Sequence, residues 1–186
     1  NKSLHPYIDA LAPNYRIHPL AAAIAVAQLW HLDEWLQVRR RNAGYLLAGL
    51  KGLPGIEPTY TAQHCRHGFH MIPLTYHKEQ LGGLTRQKFI AAMNAEGVGI
   101  FAYVGTPIHL RPAHRDHRFY GKGCPWRCPL AARRITYRQG DCPNAELHCR
   151  ERELQLTGSM VADCRPFLDQ VIAAFKKVAA QADRIR

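Results

Sequence analysis

Six cysteines and eleven histidines have the widest chemical reach in this chain. Cys124, Cys128, Cys142 and Cys149 share a span with His114, His117 and His148. Thiolate and imidazole together are the ligand set of a structural zinc. The spacings here, C-x3-C and C-x6-C, differ from the C-x2-C knuckles such sites use. The reading without metal makes all six, Cys65 and Cys164 included, reduced thiols that pack as small apolar side chains. His64, His67 and His70 also cluster, but alternation along a strand sends His67 and His70 to opposite faces. No metal site is expected.

Other constellations are missing. There is no G-x-S-x-G elbow, no G-x-x-x-x-G-K-[ST] loop, no G-x-G-x-x-G after a strand and no H-E-x-x-H pair. Spacing alone therefore points to no self-contained active site. Charge says more about partners. The net charge is +11, with eighteen arginines against seven lysines. Arginine forks match phosphate and carboxylate groups bidentately, so an anionic partner fits, as does an acidic balance elsewhere in a longer protein. The basic residues are spread along the chain, and no finger, RNP or zipper motif accompanies them. A nucleic-acid partner is not expected. Neither is a membrane, since no apolar run reaches 18 residues. The chain opens on Asn1 with no apolar leader. We read it as a cytoplasmic piece of a longer protein.

The elements that would position these residues follow from periodicity. A length of 186 residues and an apolar fraction of 47% suit one domain with a real core. After an irregular start, Pro19 opens one long helix to about Leu50. Its apolar stripe holds Leu20, Ile24, Leu29, Leu32, Trp35, Val38, Leu46 and Leu50. Lys51-Gly52 and Pro54 end it, and a loop with Gly55 and Pro58 follows. Residues 67–76 read as a strand. Thr85 caps a helix from Arg86 to Glu96, stopped by Gly97, and Val98 to Val104 read as another strand. Residues 105–142, rich in Pro, Gly, Arg, His and Cys, read as a long functional loop. A short helix over 143–152, a strand at Leu154–Leu156 and a last helix over 163–182 complete the order. Phe167, Leu168, Val171, Ile172, Phe175 and Val178 form that helix's expected buried face. The fold class is α/β: a small sandwich with a long helix, then a short mixed or antiparallel sheet of three or four strands with packed helices.

Five blocks in this order carry a resemblance. They are Asn14-Tyr15-Arg16-Ile17 with Pro19 to Ile24 and Gln28-Leu29, His67 to Ile72, Arg86 to Ile90 with Ala95 to Val98, Pro107 to Pro112, and Cys142 to Glu146. Together the blocks resemble the small domain of the DegT/DnrJ/StrS aminotransferases, fold-type I enzymes that use pyridoxal phosphate on sugars and cyclitols. The resemblance implies a C-terminal portion of such an enzyme. Residues 1–18 would be an inter-domain and active-site segment, and 19–186 the small domain with an extended loop at 105–142.

It also implies roles. Asn14 matches the asparagine that reaches the cofactor phosphate of a neighbouring subunit, and Arg16 beside it can add a charge-assisted bond. Read plainly, Asn14 is a turn residue after Pro13 and Arg16 a surface cation. His109 matches the loop bordering the sugar site, where its plain role is to cap that loop. Tyr103 and His70 are weaker substrate-binding candidates, His70 equally a packing residue. The cofactor would be pyridoxal 5'-phosphate, the donor glutamine or glutamate, the acceptor a keto-sugar or keto-cyclitol in sugar or antibiotic biosynthesis, and the assembly a homodimer. No lysine here matches the one that holds the cofactor, so the chain is expected to carry no catalytic residue and to show no turnover alone. Two other readings stay open: a non-catalytic binding or regulatory small domain, and a zinc- or nucleic-acid-binding basic domain. Residues 113–141 look longer than the matching family loop.

Overall fold

A computed structural model of the protein describes residues 16–118, 122–157 and 162–186. The chain divides into two compact units. One holds His18–Tyr103 and Glu151–Arg186, and the other contains Val104–Arg150.

The first unit opens with α1 (Pro19–Leu29), which has Pro19 in its first turn and is capped by the His18 side chain accepting from the Leu20 N–H. The expected single helix breaks at Trp30-His31, and α2 (Leu32–Leu50) begins afresh. Asp33 and Glu34 sit in the first turn of α2, where carboxylates complement the exposed N–H groups. Those acids, in the middle of the apolar stripe, mark the second start. The two helices differ in what they bury. α2 buries Ala43, Leu46 and Leu50, whereas α1 buries nothing and exposes Leu20, Ile24, Val26 and Leu29. A helix apolar on every side belongs inside a larger body of protein.

Four antiparallel strands follow: β1 (Ile56–Pro58), β2 (Met71–Tyr76), β3 (Ile100–Phe101) and β4 (Glu153–Thr157), ordered β1-β2-β4-β3. Alternation on β2 buries Ile72, Leu74 and Tyr76. The register places Ile72 opposite Leu156 and Leu74 opposite Leu154, so both strands bury one shared face. Against that core pack α2, α3 (Arg86–Ala95) and α6 (Arg165–Ala180), with α7 (Ala182–Ile185) after a one-residue break. Phe89 lies between Tyr76 and Phe175, with ring centroids 5.0 and 6.0 Å away. Tyr76 donates its hydroxyl to the Leu84 carbonyl at 2.8 Å. Burial pushes that hydroxyl's pKa above its ordinary value. Gly49 lets α2 approach α6, since a Cβ there would sit 2.3 Å from Ile172 Cδ1. Gly97 stops α3 with φ of 83°.

Several expectations change. β1 was read as loop, because three residues ending in an edge proline leave no period to detect. The strand expected over 67–76 starts at Met71. Before it His67 Nδ1 accepts from the Phe69 N–H at 2.8 Å, and Phe69 has φ of 48°. The strand expected over 98–104 shrinks to Ile100–Phe101, because the Tyr103 N–H goes to a carboxylate instead of the ladder. Phe167 is 51% exposed, not buried.

The second unit is built differently. It contains a 3₁₀ turn at Ile108–Leu110, α4 (Pro112–Arg115), and α5 (Pro143–Leu147) running into a wider turn that ends at Arg152 in the first unit. Among its described residues, the buried apolar side chains are Ala113, Trp126 and Cys149. Trp126 donates Nε1–H to the Tyr137 hydroxyl at 3.2 Å and lies 5.1 Å from the His117 ring. Cys124 and Cys128 are paired as a disulfide, with Cα atoms 4.9 Å apart. This corrects the reading of six thiols: the turn between these two cysteines folds back far enough for a bond to close. Cys65 and Cys142 are exposed thiols rather than buried side chains, while Cys149 is buried.

Candidate functional site

The Pro107-to-Pro112 block forms the 3₁₀ turn at Ile108–Leu110 and leads into α4, with Pro112 at its start. His109 projects from that turn and is buried. Its Nε2–H donates to Glu146 Oε1 at 2.9 Å. An ionised carboxylate only accepts, so the Nε2 proton is fixed and a neutral ring keeps Nδ1 as its acceptor. Glu146 also takes the Gly140 N–H at 2.8 and 3.1 Å, and the Cys142 N–H at 3.4 Å. Burial alone would raise the Glu146 carboxyl. The hydrogen bond from His109 and the two backbone N–H groups outweigh it and hold the group below the usual carboxylate range. One carboxylate thus ties the His109 turn to the start of α5. His109 lines a cavity of ≈ 570 Å³ together with Val104, Ile108, His114, Tyr137 and Cys149.

A second carboxylate organises the edge of the sheet. Glu153, buried at the start of β4, accepts the Tyr103 N–H at 2.7 Å. Arg86 donates to the Glu153 carbonyl at 2.8 Å, joining the helix of the Arg86 block to the same strand. Tyr103 itself is 62% exposed, with its ring edge toward Phe101. Its backbone is anchored while its ring stands in solvent.

The remaining candidates divide. His70 is exposed just before β2, and Arg16 is exposed ahead of α1. Asn14 lies outside the described residues. The described residues do not by themselves build a seat for a phosphorylated pyridine. Among them, no group of three or more His, Cys, Asp or Glu side chains is arranged to hold a metal ion. No described helix is long and apolar enough to cross a membrane.

Sequence reasoning missed both carboxylates. Glu146 stood inside a recognised block but was read only as part of a helix start. Its offset of four from Cys142 was the available signal, because a side chain one turn on can reach back to the N–H groups that open a helix. For Glu153, the signal was an acid heading an otherwise apolar strand.

The chain is similar to known proteins over most of its length. A model of the DegT/DnrJ/EryC1/StrS aminotransferase family matches residues 2–153. The spore coat polysaccharide biosynthesis protein SpsC of Bacillus subtilis is 28% identical over 95% of this chain and 41% of its own length. A putative L-glutamine:3-amino-2,3-dideoxy-scyllo-inosose aminotransferase of Streptoalloteichus tenebrarius is 26% identical over 93% of this chain and 42% of its own. Among solved structures, S. venezuelae DesV in complex with a ketimine intermediate superimposes with a TM-score of 0.68 at 26% identity. That match covers 90% of this chain and 38% of DesV. The chain therefore spans about two fifths of the length of the relatives it matches.

Proposed function

The chain belongs to the DegT/DnrJ/EryC1/StrS aminotransferase family, and on that footing we propose that it is the small-domain portion of a pyridoxal-phosphate-dependent sugar aminotransferase. The reaction would move an amino group from glutamine or glutamate to a keto-sugar or keto-cyclitol. The donor named for the Streptoalloteichus relative is in line with this. One observation carries the reading: two family-like blocks far apart in sequence, Pro107 to Pro112 and Cys142 to Glu146, are joined by the His109–Glu146 bond.

The chain's own residues would bind and orient. Asn14 would donate its amide to the cofactor phosphate across a dimer, with Arg16 adding charge. The Tyr103 ring would meet the sugar, with its backbone held by Glu153. His109 would keep the loop at the sugar site in place through Glu146, rather than act on substrate with its bonded nitrogen. His70, exposed beside β2, is retained as a peripheral contact. Pyridoxal phosphate, when bound, supplies the electron sink that amino transfer needs. Protein outside these residues would provide the lysine and most of the cofactor's seat. The bare apolar surface of α1 supports such a neighbour.

The test has two arms. The 186-residue chain mixed with pyridoxal phosphate, glutamine and a keto-sugar is expected to give no amine product and no colour that survives dialysis. Turnover by this chain alone would overturn the reading. The source gene is then read upstream of Asn1 for a lysine-bearing domain in frame. In the joined protein, Asn14→Ala should weaken cofactor retention by about tenfold, as loss of one hydrogen bond to a charged group implies.

A further inference from the structure

We propose that residues 126–138 form a docking loop for a protein partner whose surface offers an apolar contact rimmed by carboxylates. Within Val104–Arg150, nine basic residues stand against three acidic ones, and no acid lies between Asp116 and Asp141. The three acids are engaged locally. Asp116 pairs with Arg115 and Arg118, Asp141 takes the Arg138 N–H at 2.7 Å, and Glu146 takes the His109 ring. Lys122, Arg127, Arg133, Arg134 and Arg138 are exposed. Among the described residues, none of these five makes an ion pair. The backbone gathers the arginines. The Ile135 N–H donates to the Trp126 carbonyl at 3.4 Å, so the two ends of a loop meet there. Arg127 and Arg134 each adjoin that bond, and Arg133 precedes Arg134. Arg138 follows Tyr137, whose hydroxyl accepts from the Trp126 indole at 3.2 Å.

The tip of the loop has the opposite character. Pro129, Leu130, Ala131 and Ala132 carry no side-chain donor or acceptor, and Leu130 is 93% exposed. A turn presents it, in which the Ala131 N–H donates to the Cys128 carbonyl at 2.9 Å. The Cys124–Cys128 disulfide ties this flank of the loop to the turn before it. An apolar tip above a collar of arginines fits a protein interface. The partner buries the apolar contact, and guanidinium forks pair with carboxylates around it. A phosphate backbone asks for donors and would leave Leu130 without a contact. A bilayer would receive one leucine with no aromatic anchor between Cys128 and Ile135. An acidic protein surface uses both halves of the loop.

The probe is a fluorescein-labelled peptide of repeated Glu-Glu-Leu-Glu-Glu, read by anisotropy against the 186-residue chain. It should bind with a Kd on the order of 10 μM in dilute salt and about tenfold more weakly in concentrated salt. Arg133→Glu with Arg134→Glu should weaken binding about tenfold. Leu130→Ser should weaken it about fivefold, which a purely electrostatic contact would not show. Lys51→Glu with Lys176→Glu makes the same charge change on exposed residues of the other unit. That variant should shift Kd by less than about twofold. Circular dichroism checks each fold, and Arg133→Gln with Arg134→Gln replaces the double reversal if that one does not fold. Equal weakening by the two double variants, or an unchanged Kd for Leu130→Ser, would overturn the proposal. So would tighter binding, at equal salt, to a short DNA duplex or to phosphatidylserine vesicles. A dimer in sedimentation that Leu130→Ser dissolves would assign the loop to a second copy and overturn it too.

Discussion

Phe175 and Trp126 are both buried aromatics, one in each unit, and different forces hold them. Phe175 sits on the buried face of α6 among Leu168, Val171, Ile172 and Val178, with the sheet's Leu74 and Leu154 in the same cluster. Its stabilisation is apolar area removed from water, on the order of 2 kcal/mol for one such side chain. Trp126 lies in the turn closed by the Cys124–Cys128 disulfide, donates its indole N–H to Tyr137, and meets the rings of His114, His117 and Tyr137. The sheet unit is therefore held by many interchangeable contacts. Among the described residues, the Val104–Arg150 unit shows specific polar and covalent ties, two of them centred on Glu146 and Cys124–Cys128. A polar, covalently tied unit shapes a site well, but it depends on each tie.

The contrast can be broken at its strongest point. Phe175→Ala should cost about 3–5 kcal/mol and lower the urea midpoint of the whole sheet unit. A loss under about 1 kcal/mol would mean that the core repacks and the contrast is overstated. The second cut is Glu146→Ala. Amide exchange at Gly140 and Cys142 should quicken roughly tenfold while amides of β2 and β4 keep their protection. Equal loosening of both sets would show that the carboxylate supports the sheet as well.

The pH dependence of the same group sharpens the comparison. The folded carboxyl of Glu146 lies below its ordinary value, so its stabilising share is fully present above that value. It is lost as pH falls through the lowered folded value. Protection at Gly140 should accordingly fall in acid, below about pH 4, ahead of the sheet amides. Glu146→Gln should flatten that fall. The smallest effect belongs to the exposed pair of Lys177 and Glu96, bonded at 2.8 Å. Lys177→Met should shift stability by about 0.5 kcal/mol or less, read from the same urea curves.

How far these features could be read beforehand varies by residue. Thr85, Gly97, Gly52 and the stripe Leu168 to Val178 marked two helices and a stop, since local chemistry alone decides caps, breaks and amphipathic faces. The break at Trp30-His31 was hidden, because an apolar stripe continues across it in phase. His109 could be picked out, but its partner could not, because 37 residues separate it from Glu146. Tyr103 was placed on a strand that ends sooner, since nothing local reveals that Glu153, 50 residues on, takes its N–H.

Side-chain period, capping residues and the ordered family-like blocks were written in the chain, and they settled the family and most of the helices and strands. Contacts across long sequence separations were not written there. The Glu146 and Glu153 anchors, the Cys124–Cys128 bond and the exposure of α1 emerged only when the chain folded. The physical reason is range. A helix cap or a strand period acts within one turn of the backbone. A buried carboxylate takes whichever N–H groups the fold brings to it, and satisfying it costs less than leaving it bare.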